Sequence, residues 1–407
     1  MKRIITSMLL LTSSVMICNL YSQTIISFTT DNGLPHNCVN CIAIDADDNA
    51  WMGTQSGVAM YDGTDWTYFT TDDGLLHNTI ICVTVDSQGN VWAGTDYGLC
   101  KYNGSVWSSY TTSDGMASNW VKYIAEDADG NIWVGTMAGV SKFNGTDTWD
   151  NYGITEGMPS GACFITFDDQ GNKWFGTFMS GMVKYDDSDF TAYTTTEGLL
   201  DDFNILSIAI DDQNYKWVAT SQGISVFDNS NAWSANYLMA DGLFTEAVKD
   251  IDIDSGGDLW IATYTDYLNE GAVNKFNGTD WEYFMVDEDQ AIDSLISITI
   301  RRLAIDSEDN VWVATGNGVS KIINSGVGIQ DNDHQQDFIL YPNPASDHFI
   351  ITPGEDGIVR IYDVAMNNVS VFKNKGEKQV SISVEGFAPG VYFVKTGNAT
   401  KKLMIMR

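Results

Sequence analysis

Positive charge is scarce in this chain. Its 407 residues carry 21 Lys and Arg against 54 Asp and Glu, a formal net charge of −33. The deficit is concentrated in residues 24–336, where 47 acidic side chains face 11 basic ones, a net −36; residues 337–407 hold 7 and 8. That surface repels nucleic-acid phosphates and anionic lipid headgroups, so nucleic acid is excluded as a partner. It suits solubility outside the cell. Long apolar runs are missing beyond Leu20, so no segment of the mature chain can cross a bilayer as a helix. Sustained helical periodicity is missing as well, and with 44% hydrophobic residues the core must be built from strands. Cysteine is sparse: Cys38, Cys41, Cys82, Cys100 and Cys163 follow the first 23 residues, and five thiols cannot all pair within a monomer. Cys38 and Cys41 form a lone C-x-x-C with no second pair, so packing explains them better than zinc or redox chemistry.

Residues 1–23 begin with Lys2-Arg3, continue through an apolar run from Met8 to Leu20 and reach the small Ser22. This is the pattern of a secretory signal peptide. Cys18 follows Ile17, which is too large for the residue before a lipidated cysteine.

A motif then returns seven times. In Asp86–Gly104 it reads DSQGNVWAGTDYGLCKYNG, and its tryptophan recurs as Trp51, Trp92, Trp133, Trp174, Trp217, Trp260 and Trp312, at spacings of 41, 41, 41, 43, 43 and 52. A period of that size indicates a solenoid or propeller. Each repeat reads as four short strands; in the second they are Ile80–Val85, Val91–Thr95, Gly98–Tyr102 and Trp107–Thr112. The expected fold is therefore all-β, a seven-bladed β-propeller over residues 24–323. The seventh repeat stops after GVSKI, one strand short, while Ile25–Leu34 (IISFTTDNGL) matches Trp66–Leu75 (WTYFTTDDGL). The N-terminal strand is expected to complete the last blade and remove the open edges. Residues 324–337 are polar and aperiodic, a linker. Residues 338–407 return to strand-like runs and predict a small C-terminal β-sandwich.

The repeats resemble the two-component-regulator propeller family, most closely in DSQGNVWAGTDYGLCKY and DADGNIWVGTMAGVSKF. That resemblance implies a propeller that binds a ligand outside the cytoplasm. The C-terminal segment looks like the type-A sorting domain of type IX secretion substrates. The likeness rests on Tyr341-Pro342-Asn343-Pro344, VRIYD at 359–363, GVYFVK from Gly390 through Tyr392 to Lys395, and the basic end Lys401-Lys402-Leu403. It implies recognition by the type IX translocon through residues 338–407, and then secretion or attachment at the cell surface after passage through the periplasm.

Function should lie where repeats deviate from one another. Of thirteen tryptophans, seven belong to the second strands, and Trp66, Trp107, Trp149, Trp233 and Trp281 open fourth strands; Trp120 alone has no repeat position. Residues five and four before the Asp that ends each first strand form a ring at one mouth of the propeller. Lys122/Tyr123, Lys249/Asp250 and Arg301/Arg302 put four of the eleven propeller cations there. Most others, such as Lys101 and Lys142, recur at one strand position and read as packing. The sixth repeat carries a longer turn with Tyr264 and Tyr267, and Met285–Ser297 is a second insertion on the same face. A candidate ligand site follows: Lys122, Lys249, Arg301 and Arg302 for an anionic group, with Trp120 or Tyr123 stacking on a sugar or ring. An extracellular glycan or a protein would be its ligand. The competing structural reading pairs these cations with Asp250, Asp252 and Glu126.

Those three acids are the axial carboxylates available to the alternative reading, a carbohydrate-active hydrolase or lyase. His36 and His77 occupy equivalent loop positions, each followed by Asn, and a shared loop motif accounts for both. The Asp-rich turns lack the length and downstream Glu of calcium loops, and hairpin chemistry already calls for Asp, Asn and Gly there. Neither a metal nor a cofactor is expected. Deleting residues 338–407 should leave the propeller in the periplasm when cell fractions are immunoblotted; normal secretion would remove the sorting assignment.

Overall fold

A computed structural model describes residues 24–145, 148–265, 270–286, 294–323, 340–341, 348–351, 358–362, 368–373, 380–387, 390–396 and 399–405. The signal segment and the linker expected at 324–337 lie outside these residues. Chain contacts divide the protein into two compact units, residues 23–326 and one that contains residues 327–407.

The first unit consists of seven four-stranded antiparallel sheets in a propeller-like fold, with no α-helix among the described residues. Sheet 2 shows the plan, with strands Cys82–Val85, Val91–Thr95, Gly98–Tyr102 and Trp107–Tyr110 in that order. Its fourth strand ends two residues before the sequence predicts. Thr111 instead caps a short 3-10 turn, Thr112–Asp114, and accepts the Ser113 amide. The seventh sheet takes its fourth strand from the N-terminus: Ile25–Phe28 lies antiparallel to Gly318–Ile322, with Ile25 opposite Ile322 and Phe28 opposite Val319. Each first strand packs against the next, and Ile300–Ile305 of sheet 7 packs against Val39–Ile44 of sheet 1, so the series closes.

One carboxylate organises each sheet. Asp45, Asp86, Asp127, Asp168, Asp211, Asp254 and Asp306 each accept the indole N–H of the tryptophan six residues on, at 2.7–3.0 Å. The other oxygen of Asp168 accepts the amides of Gln170 and Asn172 and so closes the hairpin turn. The same two-amide pattern recurs at Asp45, Asp127 and Asp306. The tryptophans are in turn buried between sheets: Trp133, Trp174 and Trp260 are fully inaccessible. Lysines of the third strand lie over the rings, Lys101 at 4.8 Å from Trp92 and Lys321 at 4.6 Å from Trp312. Their repetition is thus accounted for by packing.

A second device joins neighbouring sheets. The glycine that ends each 3-10 turn has positive φ, +109° at Gly115 and +118° at Gly242, and lies under the aromatic residue opening the next fourth strand, Phe190 over Gly157 and a tryptophan elsewhere. A Cβ on Gly242 would sit 2.4 Å from Trp281, so both conformation and space exclude any side chain there.

The second unit has a three-stranded sheet (Leu340–Tyr341, His348–Ile351, Val380–Ser383) and a four-stranded one (Ile358–Tyr362, Asn368–Lys373, Gly390–Thr396, Ala399–Ile405). Phe349, Ile351 and Ile382 of the first share a single buried core with Val359, Ile361, Tyr392, Val394 and Leu403 of the second. Within the expected sorting motif, Gly390 and Tyr392 lie on one strand, with Tyr392 buried, and Tyr341 ends another. Pro342, Asn343 and Pro344 lie outside the described residues.

Burial raises the carboxyl of Asp168, but hydrogen bonds from Trp174 and Asn172 outweigh it and hold the group below its ordinary value of 3.8. A depressed folded-state value contributes stability that is complete above the unfolded value and is lost as pH falls through the folded one. Asp168→Ala should therefore cost about 2–4 kcal/mol at neutral pH. Denaturant titrations followed by tryptophan fluorescence should show the gap to wild type narrowing near pH 2.5 (about a unit below the usual carboxyl range). An equal gap at both pH values would refute the carboxylate's role.

Candidate binding site on the loop face

The start of each first strand and the turn between the second and third strands fall at one end of the ring. In sheet 3 the Met137 amide donates to the Trp120 carbonyl at 3.3 Å. The next sheet is tied in at the same level: Ile80 N donates to Thr54 O at 2.9 Å and Ile205 N to Thr177 O at 3.1 Å.

The cations expected to converge at this mouth are separated by a bulge. In sheets 3, 6 and 7 the pairing skips from Val121 to Tyr123, from Val248 to Asp250 and from Ile300 to Arg302. Lys122, Lys249 and Arg301 are the extra residues, re-aimed out of the ladder. Each finds its own partner. Lys122 Nζ is 2.9 Å from Asp96 of the preceding sheet. Lys249 lies over the Tyr264 ring at 5.8 Å. Arg301 donates from Nη1 to Asn40 Oδ1 at 3.0 Å, and its Nε is buried with no partner among the described residues.

Tyr123 and Arg302 occupy the ladder position beyond the bulge and turn into the centre. Arg302 crosses from sheet 7 to donate to the Leu206 carbonyl at 2.8 Å and to reach Asp250 at 3.3 Å. Its guanidinium lies 5.5 Å from the Tyr123 ring and 5.7 Å from Phe164. Burial lowers the Arg302 pKa, but the Asp250 charge, together with smaller contributions from Tyr123, Cys163 and Cys41, outweighs it and keeps it raised. Asp250 also accepts the Leu303 amide at 2.9 Å, and Ser207 accepts that of Ile251 at 3.2 Å. Side chains at this level thus satisfy the inner-edge amides that ring closure leaves without strand partners.

The thiols of Cys41, Cys82 and Cys163 belong to the same region, where each feels the Arg302 charge. All five described cysteines are free and buried. Desolvation pushes Cys41 and Cys163 up to about 12, so both remain thiols at neutral pH. Desolvation, followed by the Asp250 charge, raises Asp252 to about 7. Glu126 is placed apart from these acids. It ends its strand at the opposite turn and accepts Ser87 N at 2.6 Å and Ser87 Oγ at 2.8 Å.

An open cleft of about 390 Å³ instead lies between sheets 2 and 3, lined by His77, Thr79, Asp96, Tyr97 and Trp120. Trp120 is 55% exposed and Tyr97 58%. His77 stacks on Tyr97 with centroids 4.7 Å apart, and its Nδ1 accepts the Thr79 amide at 2.9 Å. His36 accepts the Cys38 amide at the same distance, so the two histidines share a loop-capping role. Trp120 lines this cleft and Lys122 reaches it through Asp96; Tyr123 and Arg302 belong to the central network with Asp250; Lys249 and Arg301 are held by Tyr264 and Asn40. Tyr97 escaped the sequence reading, although it was detectable: its turn position is Ser56, Ala138, Gln222 and Asn317 in other sheets. Tyr267 and residues 287–293 of the second insertion lie outside the described residues.

The chain is similar to two families at once. Residues 33–56, 74–97 and 115–138 match the two component regulator propeller family, and residues 339–406 match the secretion system C-terminal sorting domain. Propeller repeats and a type IX sorting tail therefore occur in one chain. A beta-agarase A of Zobellia galactanivorans is 32% identical over 100 residues, which is 23% of this chain; the chain spans only 18% of that relative's length. Among solved structures, an extracellular domain described as that of a hybrid two component system of B. thetaiotaomicron aligns at 20% identity and TM-score 0.62. The alignment covers 94% of this chain and 57% of that one. PorZ, a surface component of the type IX secretion system of Porphyromonas gingivalis, aligns at 17% identity and TM-score 0.60, covering 94% and 61%. At these identities the likeness is one of fold. With the sorting tail, it fits a secreted surface propeller.

The channel network yields a stability test. Arg302→Ala would leave Asp250 buried without its counter-ion and should cost about 3–5 kcal/mol. Replacing both members, as Arg302→Met with Asp250→Leu, should cost less. If chemical denaturation ranks the double variant as the weaker, Asp250 is not held by the Arg302 charge.

Proposed function

We propose that the protein is a secreted or surface-attached seven-bladed propeller that binds a glycan on its loop face. In this reading residues 1–23 direct export to the periplasm. Residues 338–407, a small β-sandwich, are then taken by the type IX translocon, and residues 24–323 form the working module.

The observation that carries the glycan reading is the cleft in which Trp120 and Tyr97 stand exposed beside Asp96, Thr79 and His77. Large aromatic faces left in water favour contact with the apolar face of a sugar ring. The Lys122–Asp96 pair supplies a donor and an acceptor side by side, which suits neighbouring hydroxyl groups. Lys122 can also turn to a carboxylate or sulfate on the same sugar, at the cost of its bond to Asp96. Because Arg302 is committed to Asp250 and Leu206, the charged part of the ligand meets Lys122 alone. The fold relatives do not name a ligand for this chain, and the agarase likeness covers too little of that enzyme to transfer its activity.

A glycan array probed with the full mature protein tests the reading. Binding to neutral or anionic oligosaccharides should fall about tenfold or more in Trp120→Ala, as expected when one stacking contact of about 1–2 kcal/mol is lost. Lys122→Ala should weaken the anionic members more than the neutral ones, which lose one hydroxyl contact and no ion pair. Absence of any bound glycan, or unchanged binding by Trp120→Ala, would overturn it.

A further inference from the structure

Beside that cleft the loop face carries an apolar strip that the repeat does not require. Met137 is 42% exposed, Met179 67% and Phe203 56%, with Phe178 half-buried between them. The backbone segments that carry it adjoin one another. The Met137 carbonyl lies 2.7 Å from where a Cβ on Gly161 would stand, Gly161 O accepts the Phe178 amide at 3.3 Å, and Phe178 O accepts the Asn204 amide at 3.1 Å. The corresponding turns of sheets 1, 5 and 7 read Gln55-Ser56, Ser221-Gln222 and Gly316-Asn317, all small or polar. Those sheets fold the same way, so Met137, Phe178 and Met179 are dispensable for the turn itself.

We infer that this strip docks a polypeptide segment of a partner protein that carries apolar anchors together with Lys or Arg. Charge selects the partner. The lysines between Tyr123 and Val248 are Lys142, Lys173, Lys184 and Lys216, all on second or third strands, whereas Asp201 and Asp202 adjoin Phe203. The surrounding unit, residues 23–326, holds 45 acidic and 11 basic side chains, a net −34. A second copy would bring equal charge against it, and an anionic membrane is repelled for the same reason. A glycan would find thioether and phenyl groups there without the hydrogen-bonding side chains of the neighbouring cleft. Methionine and aromatic side chains at a protein surface instead suit apolar side chains of another polypeptide, since the flexible thioether adapts to their shape. The inference does not rest on the glycan reading, because it uses neither Trp120 nor Tyr97.

The test uses the full mature protein and two labelled synthetic peptides, one alternating Leu and Trp with Lys, the other carrying Glu in place of Lys. Fluorescence anisotropy at physiological salt should register the Lys peptide and not the Glu peptide. The double variant Met179→Ser/Phe203→Ser changes two exposed side chains and should weaken the Lys peptide about tenfold or more, the size expected for losing interface anchors. Trp120→Ala should leave it unchanged. Equal binding of both peptides, no binding of either, full binding by the double variant, or a loss seen only in Trp120→Ala would each overturn the inference. So would self-association in sedimentation runs that the double variant abolishes.

Discussion

The bond from an aspartate to the tryptophan six residues later is the constraint on which the ring depends. A single carboxylate closes the hairpin between the first two strands and fixes the indole that fills the gap to a neighbouring sheet. Turn and packing are therefore set together. An indole N–H buried without an acceptor would lose about 1–3 kcal/mol, and seven sheets repeat the arrangement. Because the aspartate is built into the turn, each indole reaches its slot in one orientation. The third-strand lysine can then lie across it, as Lys275 does over Trp260 while pairing with Asp258 at 2.9 Å.

Closure sets a different problem. Seven first strands turn their inner edges toward an axis where no further strand can pair with them. Asp250 and Ser207 answer part of it with side-chain acceptors, and Arg302 spans the space between sheets 5, 6 and 7. The charges placed nearest the axis are accordingly consumed by architecture. Sequence variation is left to the rim, where the turn between second and third strands can change without disturbing the aspartate–tryptophan pair. Tyr97, Met137 and Met179 exploit that freedom, while Ser56 and Gln222 at comparable turns show how little the fold demands there.

Two kinds of surface thus lie side by side on the loop face. The cleft joins aromatic faces to groups that can exchange hydrogen bonds; the adjoining strip offers apolar area beside the carboxylates of Asp201 and Asp202. Glycans and polypeptides differ in just this respect, since a sugar must have its hydroxyls satisfied and a leucine or tryptophan side chain need only be desolvated. A surface protein able to hold both would bring a polymer and a partner protein together.

The amino-acid sequence alone was sufficient for the repeat, the strand order, the N-terminal closing strand and the sorting segment. The first three rest on local rules: a two-residue strand period, Asp/Asn/Gly turns, and a recurring tryptophan whose surroundings are the same every time; the sorting segment rests on its resemblance to known sorting domains through VRIYD and GVYFVK. Trp120 was legible as the tryptophan outside that pattern. The destinations of Lys122, Lys249, Arg301 and Arg302 were not, because one bulge residue decides whether a side chain points to the rim or to the axis, and adjacent positions look alike in one dimension. Only the tertiary structure sent Arg302 to Asp250 across sheet boundaries, left Lys122 with Asp96, and set Tyr97 beside Trp120. Those pairings join residues of different repeats, and their partners are chosen by ring closure rather than by neighbours along the chain.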